Sequence, residues 1–326
     1  MKKSLIALAV LAASGAAMAQ SSVTLYGRVD ASIGSEKNTV TGVSTTKMFN
    51  GSDGGLTGSR WGLKGTEDLG GGLSASFVLE NRFNVDDGTN DDAGGVVGGF
   101  NGDAYVALNG GFGSAQFGRT YTAYDGIKAL SVASSVFDSA FTPTAQPSYT
   151  VRGANQIKYV SPSFGGLTVA GSVALKEDGS ILAKNVSSVT AIYKAGALAA
   201  GVGFESGLTG DNTMVSGSYD FGVASVSGGY ATFDADGTGT DASGFNLGVT
   251  VPFGAFKFSA GIADGKTETK AGSKVTDIRG YGLGVTYSLS KRTTAYAGFK
   301  DTKTKNAAGA KTAGTRLYAV GIRHDF

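Results

Sequence analysis

Apolar and polar residues alternate with a period of two along most of the chain beyond its first twenty positions. In the run 22–32, Val23, Leu25, Gly27 and Val29 fall on one side, with Thr24, Tyr26, Arg28 and Asp30 on the other. In 73–83, Leu73, Ala75, Phe77 and Leu79 oppose Ser74, Ser76, Glu80 and Arg82. Strict alternation marks a strand with one apolar and one polar face. The same reading predicts sixteen strands, near 22–32, 59–67, 73–83, 102–109, 113–121, 152–160, 167–175, 186–195, 198–205, 212–219, 224–233, 244–252, 256–264, 277–289, 293–301 and 315–326.

The connections alternate in length. Tight turns such as Asn109-Gly-Gly-Phe-Gly113 and Pro252-Phe-Gly-Ala255 are interleaved with longer polar stretches near 33–58, 84–101, 122–151, 176–185, 206–211, 234–243, 265–276 and 302–314. Short turns at one end and long loops at the other describe an up-and-down barrel that crosses a membrane. A sheet of this size must close to hide its edges, and at sixteen strands side chains cannot fill the interior. The expected fold is therefore all-β: a sixteen-stranded antiparallel up-and-down transmembrane β-barrel around a water-filled lumen.

The N-terminus obeys a different rule. Lys2 and Lys3 precede the apolar run Leu5 to Ala13 and then Ala17-Met18-Ala19. These are the three parts of a secretory signal, and the run is too short to cross a bilayer as a helix. Residues 1–19 read as a cleaved signal peptide and 20–326 as one barrel domain, the mature chain beginning at Gln20.

Composition narrows the function. The 53 glycines among 326 residues are about twice the usual share of roughly 7% and argue against a helical bundle. No cysteine is present, so disulfides, thiolate metal sites and Cys nucleophiles are excluded. The single histidine, His324, falls on a strand face expected to meet lipid, where it cannot serve as the base of a hydrolase. Charges nearly balance, 28 basic against 26 acidic, which argues against a nucleic-acid partner. Asp86, Asp87, Asp91 and Asp92 crowd one connection without the spacing of an EF-hand, and no metal or cofactor is expected.

Four stretches resemble the trimeric general porins of the Gram-negative outer membrane, in the Neisseria-like and Burkholderia-like branch. They are Ser22-Val-Thr-Leu-Tyr-Gly27, Gly58-Ser-Arg-Trp-Gly-Leu-Lys-Gly-Thr-Glu-Asp-Leu-Gly70, Phe117-Gly-Arg119 and Val320-Gly-Ile-Arg-His-Asp-Phe326. The resemblance implies an outer-membrane location, homotrimers, passive diffusion of small hydrophilic solutes, and a third long loop folded into the lumen. It also implies that the last strand, ending in Phe326, is read by the barrel-assembly machinery. Outer-membrane lipid and lipopolysaccharide would surround such a barrel.

Parity then sorts the charges. If Val23, Leu25, Trp61, Leu63, Ile157 and Tyr159 face lipid, then Arg28, Arg60, Lys64, Arg82, Arg152 and Lys158 face the lumen. An arginine facing lipid at mid-membrane would cost about 2–4 kcal/mol, which enforces the inward choice. Arg28, Arg60 and Arg152 lie at or near wall positions that resemble the basic cluster of the family's constriction. Opposite them, the loop 122–151 offers Tyr124, Asp125 and Asp138, with Lys128. Basic wall and acidic loop sum to a positive neck, so mild anion preference is expected. Local pairing, such as Arg82 with Glu80, would weaken that preference. A substrate-specific channel with a saturable site is the competing reading. Arg119 has lipid-side parity beside Phe117, which either a subunit interface or a bulge would resolve.

Overall fold

The computed structural model describes residues 22–91, 99–132, 139–177 and 184–326. The proposed signal, Asp92 and Asp138 lie outside them. Alternation is realised as strands β1 (Ser22–Asn38), β2 (Ser44–Asn50), β3 (Ser59–Gly70), β4 (Leu73–Phe83), β5 (Ala104–Gly110) and β6 (Gly113–Tyr121). After the third long connection come β7 (Arg152–Val160), β8 (Leu167–Ala174), β9 (Val186–Ala195), β10 (Leu198–Ser206), β11 (Gly210–Asp220) and β12 (Ser225–Ala235). The last are β13 (Thr240–Phe253), β14 (Phe256–Thr269), β15 (Lys274–Ser288), β16 (Thr293–Asn306) and β17 (Lys311–Asp325). Among the described residues two short helices interrupt them, α1 (Gly51–Gly54) and α2 (Ala123–Val132).

Seventeen strands make sixteen staves. β2 pairs with the upper half of β1 (Ala31↔Asn50 to Lys37↔Ser44) and β3 with its lower half (Ser22↔Thr66 to Arg28↔Arg60). β2 and β3 thus run end to end as one wall element broken by α1. Every neighbour is antiparallel, and β1 closes on β17 over Arg28↔Asp325 to Asn38↔Thr315. The seam ends where Gly27 and Phe326 exchange two backbone hydrogen bonds of 3.0 Å.

The outward face carries apolar side chains that are half exposed in the isolated chain, among them Leu25, Val106, Phe117, Val215, Leu283 and Val320. Burial is inverted relative to a water-soluble fold, because the solvent on that side is hydrocarbon. Inward positions are polar: Ser59, Thr120, Gln156, Ser188, Asn212 and Asn246 are all buried.

Three of the shorter polar connections expected from sequence are largely strand. The polar stretches 234–243, 265–276 and 302–314 continue β12 to β17 as ladders, leaving tight hairpin tips. β1 likewise runs on to Asn38, and β2 occupies residues expected in a loop. The reason is physical. A tilted strand needs only about 9–11 residues to cross the bilayer, whereas β13 to β17 have 14–15. Above the membrane both faces meet water, alternation disappears, and strand becomes indistinguishable from loop by pattern.

Candidate pore constriction

The basic side chains converge through sheet register. Arg28 lies directly opposite Arg60, and Arg60 directly opposite Arg82, so β1, β3 and β4 present three guanidiniums in one cross-strand row. Like charges facing across strands destabilise a sheet. Such a row is not a stability device.

Acidic neighbours hold it in place. Glu80 lies 3.0 Å from Arg82 Nε and 3.6 Å from Arg60 Nη1, and accepts a 3.3 Å hydrogen bond from Tyr26 Oη. Asp325 lies 3.2 Å from Arg28 Nε. Asp103 accepts from Arg152 Nε at 3.1 Å, and the Arg152 guanidinium stacks 3.6 Å from the centre of the Tyr121 ring. Tyr121 joins the groups: Arg82 Nη2 donates to its hydroxyl at 3.1 Å and Lys158 Nζ to its carbonyl at 3.0 Å. Arg28, Arg60, Arg82, Arg152 and Lys158 therefore form one arc of wall over β1, β3, β4 and β7. Lys64 is more exposed and stands four residues along β3 from Arg60, its ammonium 5.1 Å from the Tyr26 ring centre.

Of these carboxylates, Glu80 is legible in the sequence as a partner of Arg82. Asp325 has inward parity on the last strand. Asp103 precedes β5, where no parity applies.

Register also accounts for Arg119. The ladder between β6 and β7 shifts between Gly118 and Thr120, and Gly118 takes φ +133° there. Phe117 faces outward, whereas Tyr121, beyond the shift, contacts Arg82 and Arg152. Arg119 Nε donates to the carbonyl of Asn101 at 3.1 Å. A β-bulge, one of the two expected solutions, lies opposite this residue: Ala154 and Asn155 of β7 face Arg119 alone, and Asn155 takes φ +52°.

The helix α2 of the third long connection packs against β8 to β13. The connection's two ends are tied, Thr122 N donating to the Val151 carbonyl at 3.1 Å and Thr122 Oγ1 to the Thr150 carbonyl at 2.8 Å. Ser172 Oγ accepts from Ala123 N and Ser188 Oγ from Tyr124 N, at 2.9 and 3.2 Å. Ser216 Oγ donates to the Ile127 carbonyl at 2.7 Å, and Asn246 Nδ2 to the Ser131 carbonyl at 3.0 Å. Glu205 accepts from Thr150 N at 2.8 Å. All these wall groups share the polar face of their strands. Glycine makes room: a Cβ at Gly203 would lie 2.5 Å from Ile127, and one at Gly298 would lie 2.3 Å from the Phe141 ring.

Tyr124, expected at the lumen surface, is buried to 1% exposure. It packs in a cluster with Ile127, Leu130, Met214 and Ala231, its ring 5.1 Å from that of Tyr149. Its role is anchorage, because its residue face of α2 is the apolar one. Burial, with Glu205 nearby, pushes its phenol above the ordinary range. Asp125, one residue on, is half-buried and accepts a 2.7 Å hydrogen bond from Tyr149 Oη.

A closed sheet with a greasy outside, a polar inside and a charged neck defines a membrane channel. The family of Gram-negative porins matches this chain over residues 5–307, and the chain belongs to that family. Outer membrane porin protein 32 of Delftia acidovorans is 36% identical over 91% of this chain and 88% of its own length. An outer membrane porin protein of Bordetella pertussis is 30% identical over 91% of this chain and 93% of its own. Among solved structures, the anion-selective porin from Comamonas acidovorans superposes with a TM-score of 0.78 at 27% identity, covering 94% of this chain and all of that one. The protein is thus an outer-membrane β-barrel channel.

Proposed function

We propose that the chain forms a water-filled pore for passive diffusion of small hydrophilic solutes, with mild preference for anions set at the neck. The carrying observation is the row Arg28–Arg60–Arg82. Together with Arg152, Lys64 and Lys158 it sets six cations against the four carboxylates Glu80, Asp103, Asp325 and Asp125. Pairing reduces the excess without cancelling it, and rings of Arg and Lys favour anion passage. The Comamonas acidovorans relative, described as anion-selective, supports the same sign.

The narrowing element is the third long connection, which we read as folded into the lumen with Asp125 presented toward the basic arc. Its bonds to polar-face residues on β8 to β11 and β13 support that reading. Three copies assemble into a trimer in a leaflet of lipopolysaccharide. An outward hollow of about 250 Å³ among Val23, Gly65, Ala75, Phe77 and Val106 suits the contact between copies. Phe326, at the seam and half exposed outward, serves as the signal for the assembly machinery.

Reversal potential of the purified channel in a potassium chloride gradient tests the central point. An anion-selective sign is expected; a cation-selective sign overturns the charge assignment.

A further inference from the structure

Residues 51–58, between β2 and β3, leave the wall on its inner side. Ile33, Met48, Tyr318 and Val320 are exposed on the outer face, so alternation puts Ser32, Phe49, Leu317 and Ala319 inside, where all four are buried. The excursion is fastened to this inner surface. Ser32 Oγ donates to the Gly54 carbonyl at 2.8 Å, and Leu56 N and Thr57 N donate to Asp30 Oδ2 at 3.0 and 2.9 Å. Asp30 is fully buried, and its other carboxylate oxygen accepts from Tyr296 Oη.

A wall that faces water inside a barrel is polar, yet Phe49, Tyr296, Leu317 and Ala319 make it apolar here. Leu56 of the excursion and Phe141 of the third connection cover the patch, at 3% and 0% exposure. The Phe141 ring stands edge-on to that of Tyr296 at 6.3 Å, and Ala140 N donates to the Gly55 carbonyl at 3.0 Å. Water stays off this surface only while both segments are in place, so each stabilises the other. The excursion also reaches the basic row. Thr57 Oγ1 accepts from Arg60 Nη2 at 2.8 Å, and the Gly58 carbonyl accepts from Arg60 Nε at 3.3 Å. From Gly55 to Gly58 the chain therefore runs from the third connection to the middle guanidinium of the row Arg28–Arg60–Arg82.

We propose that residues 51–58 are a second narrowing element, joining the third connection to the basic arc, and that the shared burial of Leu56 and Phe141 fixes the largest solute the channel passes. The proposal rests on the third connection being folded into the lumen and assigns its fastening to a separate segment of chain. Leu56 and Phe141 are positioning residues: they meet no solute and act by holding two pieces of backbone across the passage. Asp30 anchors one of those pieces to the wall.

The test reconstitutes the full channel in liposomes and reads osmotic swelling with neutral sugars from a pentose to a trisaccharide, which report width independently of charge. F141A and L56A should each raise trisaccharide entry relative to pentose by at least about two-fold, as pore diameter governs such passage. Their reversal potentials should keep the sign of the unmodified channel. F141A/L56A should be no wider than either single variant, because residues sharing one cluster are not additive. F141L, which keeps apolar bulk, should sieve nearly as the unmodified channel does. Unchanged sieving in L56A overturns the proposal, since the third connection would then narrow the pore alone. Additive widening in the double variant overturns it too, by showing two independent elements. Should F141A not fold, L56A with L56M as its volume-conserving control decides the matter by the same readout. A cation-selective unmodified channel would refute the charge assignment and leave the sieving comparison standing; unchanged sieving in an anion-selective channel does the reverse.

Discussion

Glu80 is the residue on which the neck's charge balance turns. It neutralises part of Arg60 and Arg82 while tied to Tyr26. Replacing it by Gln removes one negative charge and leaves the guanidiniums in place. A charge about 4 Å away contributes about 1 kcal/mol in water, so the anion-to-cation permeability ratio of E80Q should rise, by up to about five-fold. R82Q should move the ratio the opposite way. Reversal potentials check both, and equal ratios in the two variants would contradict the assignment. Arg82 and Glu80 were legible from alternation alone, because parity forces both inward. The direct opposition of Arg28, Arg60 and Arg82 was not, since it depends on which residue of one strand pairs with which of the next.

At the level of elements, the third long connection is held by main-chain bonds to small polar side chains, with α2 pressed on glycines. G203V would place a branched side chain where Ile127 sits. Overpacking of this kind costs about 1–3 kcal/mol, and the first relief available is displacement of α2. Larger and noisier single-channel conductance is expected, with the barrel's circular dichroism unchanged. An unaltered conductance would mean that the loop does not narrow the pore. The seam offers a matching test. A Cβ at Gly27 would lie 2.4 Å from the Phe326 ring and 2.6 Å from the Arg60 carbonyl. G27A should therefore lower the temperature at which the folded form is lost on heat-modified gel electrophoresis. The cradle left a trace in the sequence: the wall groups that bond to it on β8, β9, β11 and β13 are Ser and Asn, where the other arc has Arg and Lys. Only the contacts reveal what that difference accommodates. Tyr124 shows the limit in the other direction, since an aromatic in a polar loop looks solvent-facing until its helix is seen docked.

For the whole molecule, export and assembly make their own expectations. Mass spectrometry of the mature protein should give Gln20 as the first residue, and an N-terminus retaining Lys2 and Lys3 would refute cleavage. Conductance steps in planar bilayers are expected in groups of three, as a trimer inserts at once.

Alternation of two residues fixed the class of the fold, because only a strand between hydrocarbon and water needs that period. It also fixed which charges point inward, because the opposite choice is too costly in lipid. Everything that depends on neighbours distant in sequence was settled by the closed sheet. That includes the row of three arginines, the carboxylates matched to them, the bulge opposite Arg119 and the seating of α2. It includes the hairpins rising above the membrane, where water on both faces removes the pattern and only ladder hydrogen bonds keep the strands.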